Sequence, residues 1–506
     1  MVSDVVEWSL TATCAVVFAL VIFFYAKKWK KSEGVGVDLL PSPKKLPIIG
    51  NLHLVSDPPF RSFRDLSQQY GPIMHLKLGG VDAVVVSSPE IAKEILKDND
   101  PVYTNRPESI ALKIFWYNYI NIAFSPYGGY WKQMRKICTL ELLSPKSVRS
   151  FGSIRKDEVS RLVDSVRLSA GETINLTQKV FSMTSSVTCR AAFGKVCRDK
   201  DSLIKLVKQG LDMGAGSSIA DTFPSSVIAH ALSWRTKRRL MKMRRKLDVI
   251  LDGIIREHET NRKDSGRGNG EFGNEDLVDV LLRVMESGEL EFPIGYDNIK
   301  AVLFDMFAGG TETSSSTIDW AMTELVRNPQ VMAKAQAEIR QVVKERGGDG
   351  VEEEDVQKLK YLRLVIMETL RLHPQGSILA RVPREARRIS GYNIPVNVIV
   401  VVNVWAIHRD PKHWLDPESF KPERFANEDI IGSDFRYLPF GNGKRMCPGI
   451  TFGWASVALP LAQLLYNFNW ELPAGVDAQA LNMLETSGLT TSRIQNLFLV
   501  ATHYQP

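Results

Sequence analysis

The amino terminus is apolar: no charged residue occurs from Trp8 to Ala26, with Asp4 and Glu7 before that run and Lys27, Lys28, Lys30 and Lys31 after it. At helical rise the run is about 28 Å long, close to the hydrocarbon thickness of a bilayer. The pattern therefore predicts one N-terminal transmembrane helix over about 8–26, within an anchor spanning 1–31. The charge order places the body of the chain on the cytosolic side. A cleaved signal peptide would carry its positive charge ahead of the apolar run.

Beyond the anchor, residues 32–50 hold Gly, Lys and the prolines Pro41, Pro43 and Pro47, as a linker would. The rest, 51–506, reads as a single domain, mainly α with small β-sheets. Asp297 or Asn298 can cap a helix running to Val326, which Asn328-Pro329 stops. Further helical runs extend from Lys360 to Leu372, ended by His373-Pro374, and from Ile450 to Leu465. Ala83 to Val86 and Val396 to Val402 alternate or cluster as strands do. Lys263 to Glu275 is polar and glycine-rich, the pattern of an exposed loop. Asn403 to Arg436 has no clear period, and so long an irregular stretch in a compact domain has a functional reason.

Composition narrows the class. A mean hydropathy of −0.11 excludes a multi-span membrane protein. The five cysteines are scattered and odd in number, so neither a disulfide framework nor a zinc ribbon is written there. A net charge of +7 comes partly from the lysines beside the anchor, and no nucleic-acid-binding signature accompanies the rest.

The chemistry concentrates in two strings. In Phe440-Gly-Asn-Gly-Lys-Arg-Met-Cys-Pro-Gly449, Cys447 precedes Pro448 and an apolar helical run. Proline suits a helix's first turn, which predicts Cys447 at a helix N-terminus, with the dipole, Lys444 and Arg445 favouring thiolate. Gly441 and Gly443 permit the close backbone approach that a flat cofactor needs. The second string, Asp305-Met-Phe-Ala-Gly-Gly-Thr-Glu-Thr-Ser-Ser-Ser-Thr317, puts Gly309 and Gly310 inside a helix. Each costs about 1 kcal/mol against alanine. The hydroxyl residues after them can bond back to carbonyls and bend the helix.

The first string resembles the haem-ligating signature of the cytochrome P-450 superfamily, with Phe440, Gly443, Arg445, Cys447 and Gly449 at its fixed positions. The second resembles that family's oxygen-activation motif, filled by Gly309, Gly310, Glu312, Thr313 and Ser314, with Glu where Asp is commoner. The resemblance implies haem b held by Cys447 as iron ligand within Phe440, Gly441, Arg445 and Gly449. Thr313 would deliver protons and Glu312 would order water beside it. Glu368 and Arg371 stand one helical turn apart and would join Arg424, from Phe420-Lys-Pro-Glu-Arg-Phe425, in a buried structural network. Trp131 and Arg135 match the helix that touches a haem propionate, and Arg381 falls where a second propionate arginine belongs, with Arg384 competing for the role. Lys132, Lys136 and Lys444 would form a basic patch on which NADPH-cytochrome P-450 reductase docks.

The anchor, Asn105-Arg106-Pro107 and the stretch from Glu485 to Thr490 resemble plant microsomal enzymes of the clade acting on terpenoids, alkaloids and phenolics. That implies a haem-thiolate monooxygenase using O2 and NADPH electrons to hydroxylate or epoxidise a lipophilic small molecule, a terpenoid first, an alkaloid or phenolic second. It also implies a single-pass position in the endoplasmic reticulum membrane, catalytic domain in the cytosol. Two rivals are a reductase-independent haem-thiolate isomerase or dehydratase, and a non-catalytic haem-binding protein. The hydroxyl at Thr313 beside Glu312 counts against both.

Overall fold

A computed structural model describes residues 39–505 apart from 217, 266–274 and 427–430. The expected transmembrane helix and the first part of the linker lie outside the described residues. Among the described residues, no helix is long and apolar enough to cross a membrane.

The architecture is mainly helical, and its axis is one helix of 32 residues, Tyr296–Arg327. From Ile299 to Val326 nearly every side chain is buried whatever face it occupies. A helix covered on all sides belongs to the centre of a large domain. It packs on Leu176–Phe193, Ile450–Asn467 and Lys360–Leu372. Its start differs from expectation: Gly295 is the N-cap, and the Asn298 side chain accepts the Gly295 N–H at 2.9 Å from inside the first turn. At the far end Pro329 opens the next helix, Pro329–Arg346, without a missing hydrogen bond. Lys360–Leu372 has the predicted limits. Of the exposed loop expected from Lys263 to Glu275, residues 263–265 instead end the helix Trp234–Ser265, and 266–274 lie outside the described residues.

Four strands form the larger sheet, ordered Ile73–Leu78, Val81–Val86, Ile399–Asn403, Ile378–Arg381. The middle pair runs parallel, with Ala83 opposite Ile399, and the outer pairs run antiparallel. The strand expected from Val396 starts at Ile399 because Asn397 turns the chain at φ 66°. Thr173–Asn175, Phe498–His503 and Phe468–Glu471 make a second sheet, and Arg387–Ile389 with Tyr392–Ile394 a hairpin. Among its described residues, the aperiodic stretch after Asn403 has only short helices, Val404–Ile407 and Pro422–Phe425. Its carbonyls turn inward instead, toward Arg371 and Arg424.

Candidate functional site

Between the middle of the central helix and the Phe440–Gly449 loop lies a cavity of about 400 Å³. Phe440, Gly441, Cys447 and Gly449 line one wall, and Gly309, Gly310, Thr313 and Thr317 line the facing helix. The loop closes on itself, since the Cys447 N–H donates to the Phe440 carbonyl at 3.0 Å. Gly441 and Gly443 have φ of 68° and 74°, a region that suits glycine. A Cβ on Gly443 would also collide with the Leu96 carbonyl and the Asp100 carboxylate.

The Cys447 thiol opens onto the cavity and is otherwise enclosed by protein. Burial raises its pKa, opposed by a hydrogen bond from the Gly449 backbone and by the Arg135 guanidinium. This corrects the sequence reading in two respects. The helix begins at Ile450 with Gly449 as N-cap, so Pro448 stands outside its first turn. Lys444 and Arg445 are not the favouring cations: Lys444 turns to Asp100, and Arg445 to the carbonyls of Thr104, Ile122 and Ser125.

On the facing wall the two glycines do different things. A Cβ on Gly309 would meet nothing within 4 Å, whereas one on Gly310 would press on Thr188 at 3.0 Å and Phe452 at 3.3 Å. Gly309 thus opens the cavity and Gly310 lets helices approach. The Thr313 hydroxyl donates to the Gly309 carbonyl at 2.6 Å, and Thr317 to the Thr313 carbonyl at 2.8 Å. These back-bonds form as expected, yet the helix continues through them without a break. Glu312 does not line the cavity. It is buried with Oε2 lacking a partner, and burial pushes its carboxyl up to about 7, opposed by Lys208 and assisted by Asp212 and Asp319.

At one end of the cavity four arginines converge. Arg106, Arg135 and Arg445 line it, and Arg381 stands fully buried behind them. None of the four has an ion pair among the described residues. Arg381 Nη2 and Arg106 Nε lack any hydrogen-bond acceptor. Burial first, and then the neighbouring guanidiniums, bring Arg106 down to about 10 and Arg445 to about 9. Arg381 is lowered as well, by burial and then by Arg106 and Arg445. Arg384 points elsewhere, over the Tyr127 ring at 5.6 Å. Trp131 also departs from expectation: its indole N–H donates to the Ile122 carbonyl at 2.9 Å, and its ring lies beneath Arg445 and Arg135. It orders the arginines and does not line the cavity.

Two of these residues had weak sequence signals. Arg106 sat unassigned in a loop motif. Asp305 opened the second string, an acid within an otherwise apolar helix. Its carboxylate accepts from the Asn121 side chain at 2.8 Å and from the Ile122 and Ala123 backbone at 2.9 and 3.0 Å. It thereby fixes the loop whose carbonyls hold Trp131 and Arg445. Burial pushes it up to about 7 against those hydrogen bonds.

Glu368 and Arg371 meet Arg424 in a second buried cluster. Arg371 donates to both Glu368 oxygens at 2.7 and 2.8 Å, and to the His408, Pro417 and Ser419 carbonyls. Arg424 Nε reaches Glu368 at 3.0 Å. Elsewhere, His258, Asp276 and Asp279 lie close enough for a metal, but they serve as a helix cap: Asp276 accepts from Val278 and Asp279, and His258 from its other nitrogen meets Ile254. Lys132, Lys136 and Lys444 border a shallow surface groove beside Arg135 and Leu140.

The cavity therefore combines a thiol on one wall, a helix face opened at Gly309 opposite, and a surplus of positive charge at one end. Buried cations without partners are costly unless an anion completes them. A flat, iron-bearing dianion such as a haem with its two carboxylates fits this donor set. The Cytochrome P-450 family model matches residues 40–498. The chain is 53% identical over 493 residues to premnaspirodiene oxygenase of Hyoscyamus muticus, covering 96% of this chain and 97% of that one. It is 50% identical to 5-epiaristolochene 1,3-dihydroxylase of Nicotiana tabacum, with coverage of 96% and 97%. A zebra fish cytochrome P-450 structure with abiraterone shares the fold at a TM-score of 0.75 and 24% identity, covering 89% of this chain and all of that one. With the family pattern running through almost the whole chain and the thiol, glycines and arginines meeting in one cavity, the protein belongs to the cytochrome P-450 family of haem monooxygenases.

Proposed function

We propose that Cys447 ligates the iron of haem b, with Arg106, Arg135, Arg381 and Arg445 neutralising its carboxylates and Phe440, Gly441 and Gly449 forming its bed. When bound, the haem supplies activation of O2 with reductant electrons and insertion of one oxygen atom into substrate. The protein's own residues hold the substrate, exclude water and move protons. Gly309 leaves space beside the cofactor face. The Thr313 hydroxyl, held on the Gly309 carbonyl, transfers protons into that space. Glu312, carrying a carboxyl near neutrality, resupplies them from behind the helix.

The substrate is a lipophilic terpenoid. Support comes from the apolar lining (Trp116, Phe124, Leu211, Leu379 and Leu489) and from the relatives' names, an oxygenase of premnaspirodiene and a dihydroxylase of 5-epiaristolochene. Residues 8–26 anchor the chain once in the endoplasmic reticulum membrane, through the linker 32–50, leaving the single domain 51–506 in the cytosol. An NADPH-dependent reductase docks over Lys132, Lys136 and Lys444, whose positive groove attracts an acidic partner.

The observation that carries this reading is the meeting of the Cys447 thiol and arginines without carboxylate partners in one cavity. The test is the reduced-plus-carbon-monoxide difference spectrum, followed by NADPH turnover with a reductase. A long-wavelength Soret band that Cys447→Ser removes is the expected result. A band unaffected by that substitution overturns the ligand assignment. Thr313→Ala should keep NADPH oxidation and release peroxide instead of product; an unchanged product-to-NADPH ratio removes Thr313 from proton transfer.

A further inference from the structure

One exposed surface of the domain has neither the polarity nor the charge balance of an ordinary solvated face. In the short helix Val227–Leu232, Ala229 packs inward, while Val227, Ile228 and Leu232 are 84%, 64% and 63% exposed. The helix Trp234–Ser265 follows at once, and Trp234 is 53% exposed. Over its first turns the outward positions form two rows at helical spacing, Trp234, Arg238, Met241 and Arg245 beside Arg235, Arg239, Lys242 and Lys246. Lys237 and Arg244, at the edges, turn to the His230 carbonyl and to Asp248. The six outward cations have no ion pair or hydrogen bond among the described residues. Like charges three and four residues apart repel, and a solvated helix face normally intersperses acids among them. Here no acid occurs from Thr222 to Leu247.

This surface adjoins the place where the chain arrives from the expected anchor. Leu46, Ile48 and Ile49, in the linker, are exposed. The Gly79 N–H donates to the Ile49 carbonyl at 3.1 Å, and the Gly80 N–H donates to the Thr222 carbonyl at 2.8 Å. One glycine turn thus bridges the linker and the segment that leads into Val227–Leu232. We propose that the outward face of Trp234–Ser265, from Arg235 to Lys246, binds the anionic headgroups of a bilayer, with Val227, Ile228, Leu232 and Trp234 entering its interface. The inference rests on the membrane anchoring proposed above and adds a lipid preference to it. Basic residues draw the helix to negatively charged lipid, and a tryptophan ring suits the headgroup level. An acidic protein would satisfy the cations but leave unexplained the apolar residues that join them to the linker. Continuity with the anchor favours the bilayer.

The test uses the full-length holoenzyme carrying Cys14→Ser and Met241→Cys, labelled at position 241 with a fluorescent maleimide. Cys138, Cys189 and Cys197 are buried and Cys447 is committed to the haem, so the label goes to the basic face. Each protein is first checked by its carbon monoxide spectrum. It is then placed in vesicles of phosphatidylcholine, or of phosphatidylcholine with phosphatidylserine, that contain a headgroup-nitroxide lipid to quench the label on contact. Quenching should be strong only with phosphatidylserine and should fall in high salt. Adding Arg238→Glu and Arg245→Glu should lower the ratio of docked to undocked label at least about tenfold, as two charges near such a surface imply. Quenching equal with and without phosphatidylserine, or unchanged by the two reversals, overturns the proposal and leaves this face to an acidic protein. Flotation with phosphatidylcholine vesicles reports the anchor by itself. Loss there removes the anchor reading, while phosphatidylserine-dependent quenching still decides the lipid-binding face.

Discussion

Two groups of buried arginines sit within the same domain and have opposite electrostatics. Around Glu368, Arg371 and Arg424 share one carboxylate, and the remaining guanidinium N–H groups reach backbone carbonyls of the irregular stretch after Asn403. At the cavity end, Arg106, Arg135, Arg381 and Arg445 converge without a carboxylate partner among the described residues, and neighbouring guanidiniums lower Arg106, Arg381 and Arg445. The first group is complete as it stands, so it belongs to the fold. The second is complete only with an added anion, so it belongs to a ligand. Burial alone does not separate the two roles; charge balance does.

The sharpest way to break this contrast is to unbalance the complete cluster. Glu368→Gln leaves Arg371 buried without its counter-charge, a loss of about 3–5 kcal/mol against a usual total of about 5–15. The expected outcome is little folded holoenzyme, read as loss of the carbon monoxide complex and a lowered melting temperature. A variant as stable as wild type would mean the cluster is not structural.

The counterpart change in the incomplete cluster should act differently. Arg381→Met removes a buried charge that the protein itself does not compensate, so the haem-free protein should melt at the same temperature or higher. Haem retention should weaken by about tenfold or more, the cost of one lost charged contact, measured by haem transfer to apomyoglobin. Lowered stability with unchanged haem retention would place Arg381 with Arg371.

Asp305 allows a finer test, because it fixes the loop whose carbonyls hold Arg445. Its carboxyl is raised to about 7 in the folded chain, from an ordinary value near 3.8. The folded state therefore holds a proton that the unfolded state has released between those values. Stability from this group is greatest below the unfolded value, falls as pH rises toward 7, and is level above it. Melting curves of wild type and Asp305→Asn across that range should converge or cross in favour of the variant as pH rises, by a few kcal/mol at most. Parallel curves would show that Asp305 titrates normally.

The smallest effect concerns the exposed lysines. Lys136→Glu should leave the carbon monoxide spectrum and stability unchanged while reductase-supported turnover falls a few-fold, more at low salt than at high. Turnover independent of that charge would move the docking surface elsewhere.

Much of this was legible in the chain itself. The Lys360–Leu372 helix has the limits its apolar spacing and His373-Pro374 dictate, since those signals are local. The string ending at Gly449 marked Cys447 through its resemblance to the haem-ligating signature, and its glycines carry a local requirement that Gly441 and Gly443 meet at φ of 68° and 74°. The Glu368–Arg371 pair was visible as one helical turn. Its partner Arg424, 53 residues beyond Arg371, came from a motif.

What tertiary structure decided was direction. The sequence put Lys444 and Arg445 beside the thiol, but Asp100 and three loop carbonyls draw them away and leave Arg135 facing it. It gave Gly309 and Gly310 one role, whereas Thr188 and Phe452, from other helices, press on Gly310 alone. It chose Arg381 with Arg384 competing, and only the packing shows Arg381 buried without an ion pair among the described residues and Arg384 over a tyrosine ring. Backbone preferences are set by a residue and its near neighbours, and so can be read along the chain. Where a charged side chain points depends on acceptors brought from hundreds of residues away, and those exist only once the chain has folded.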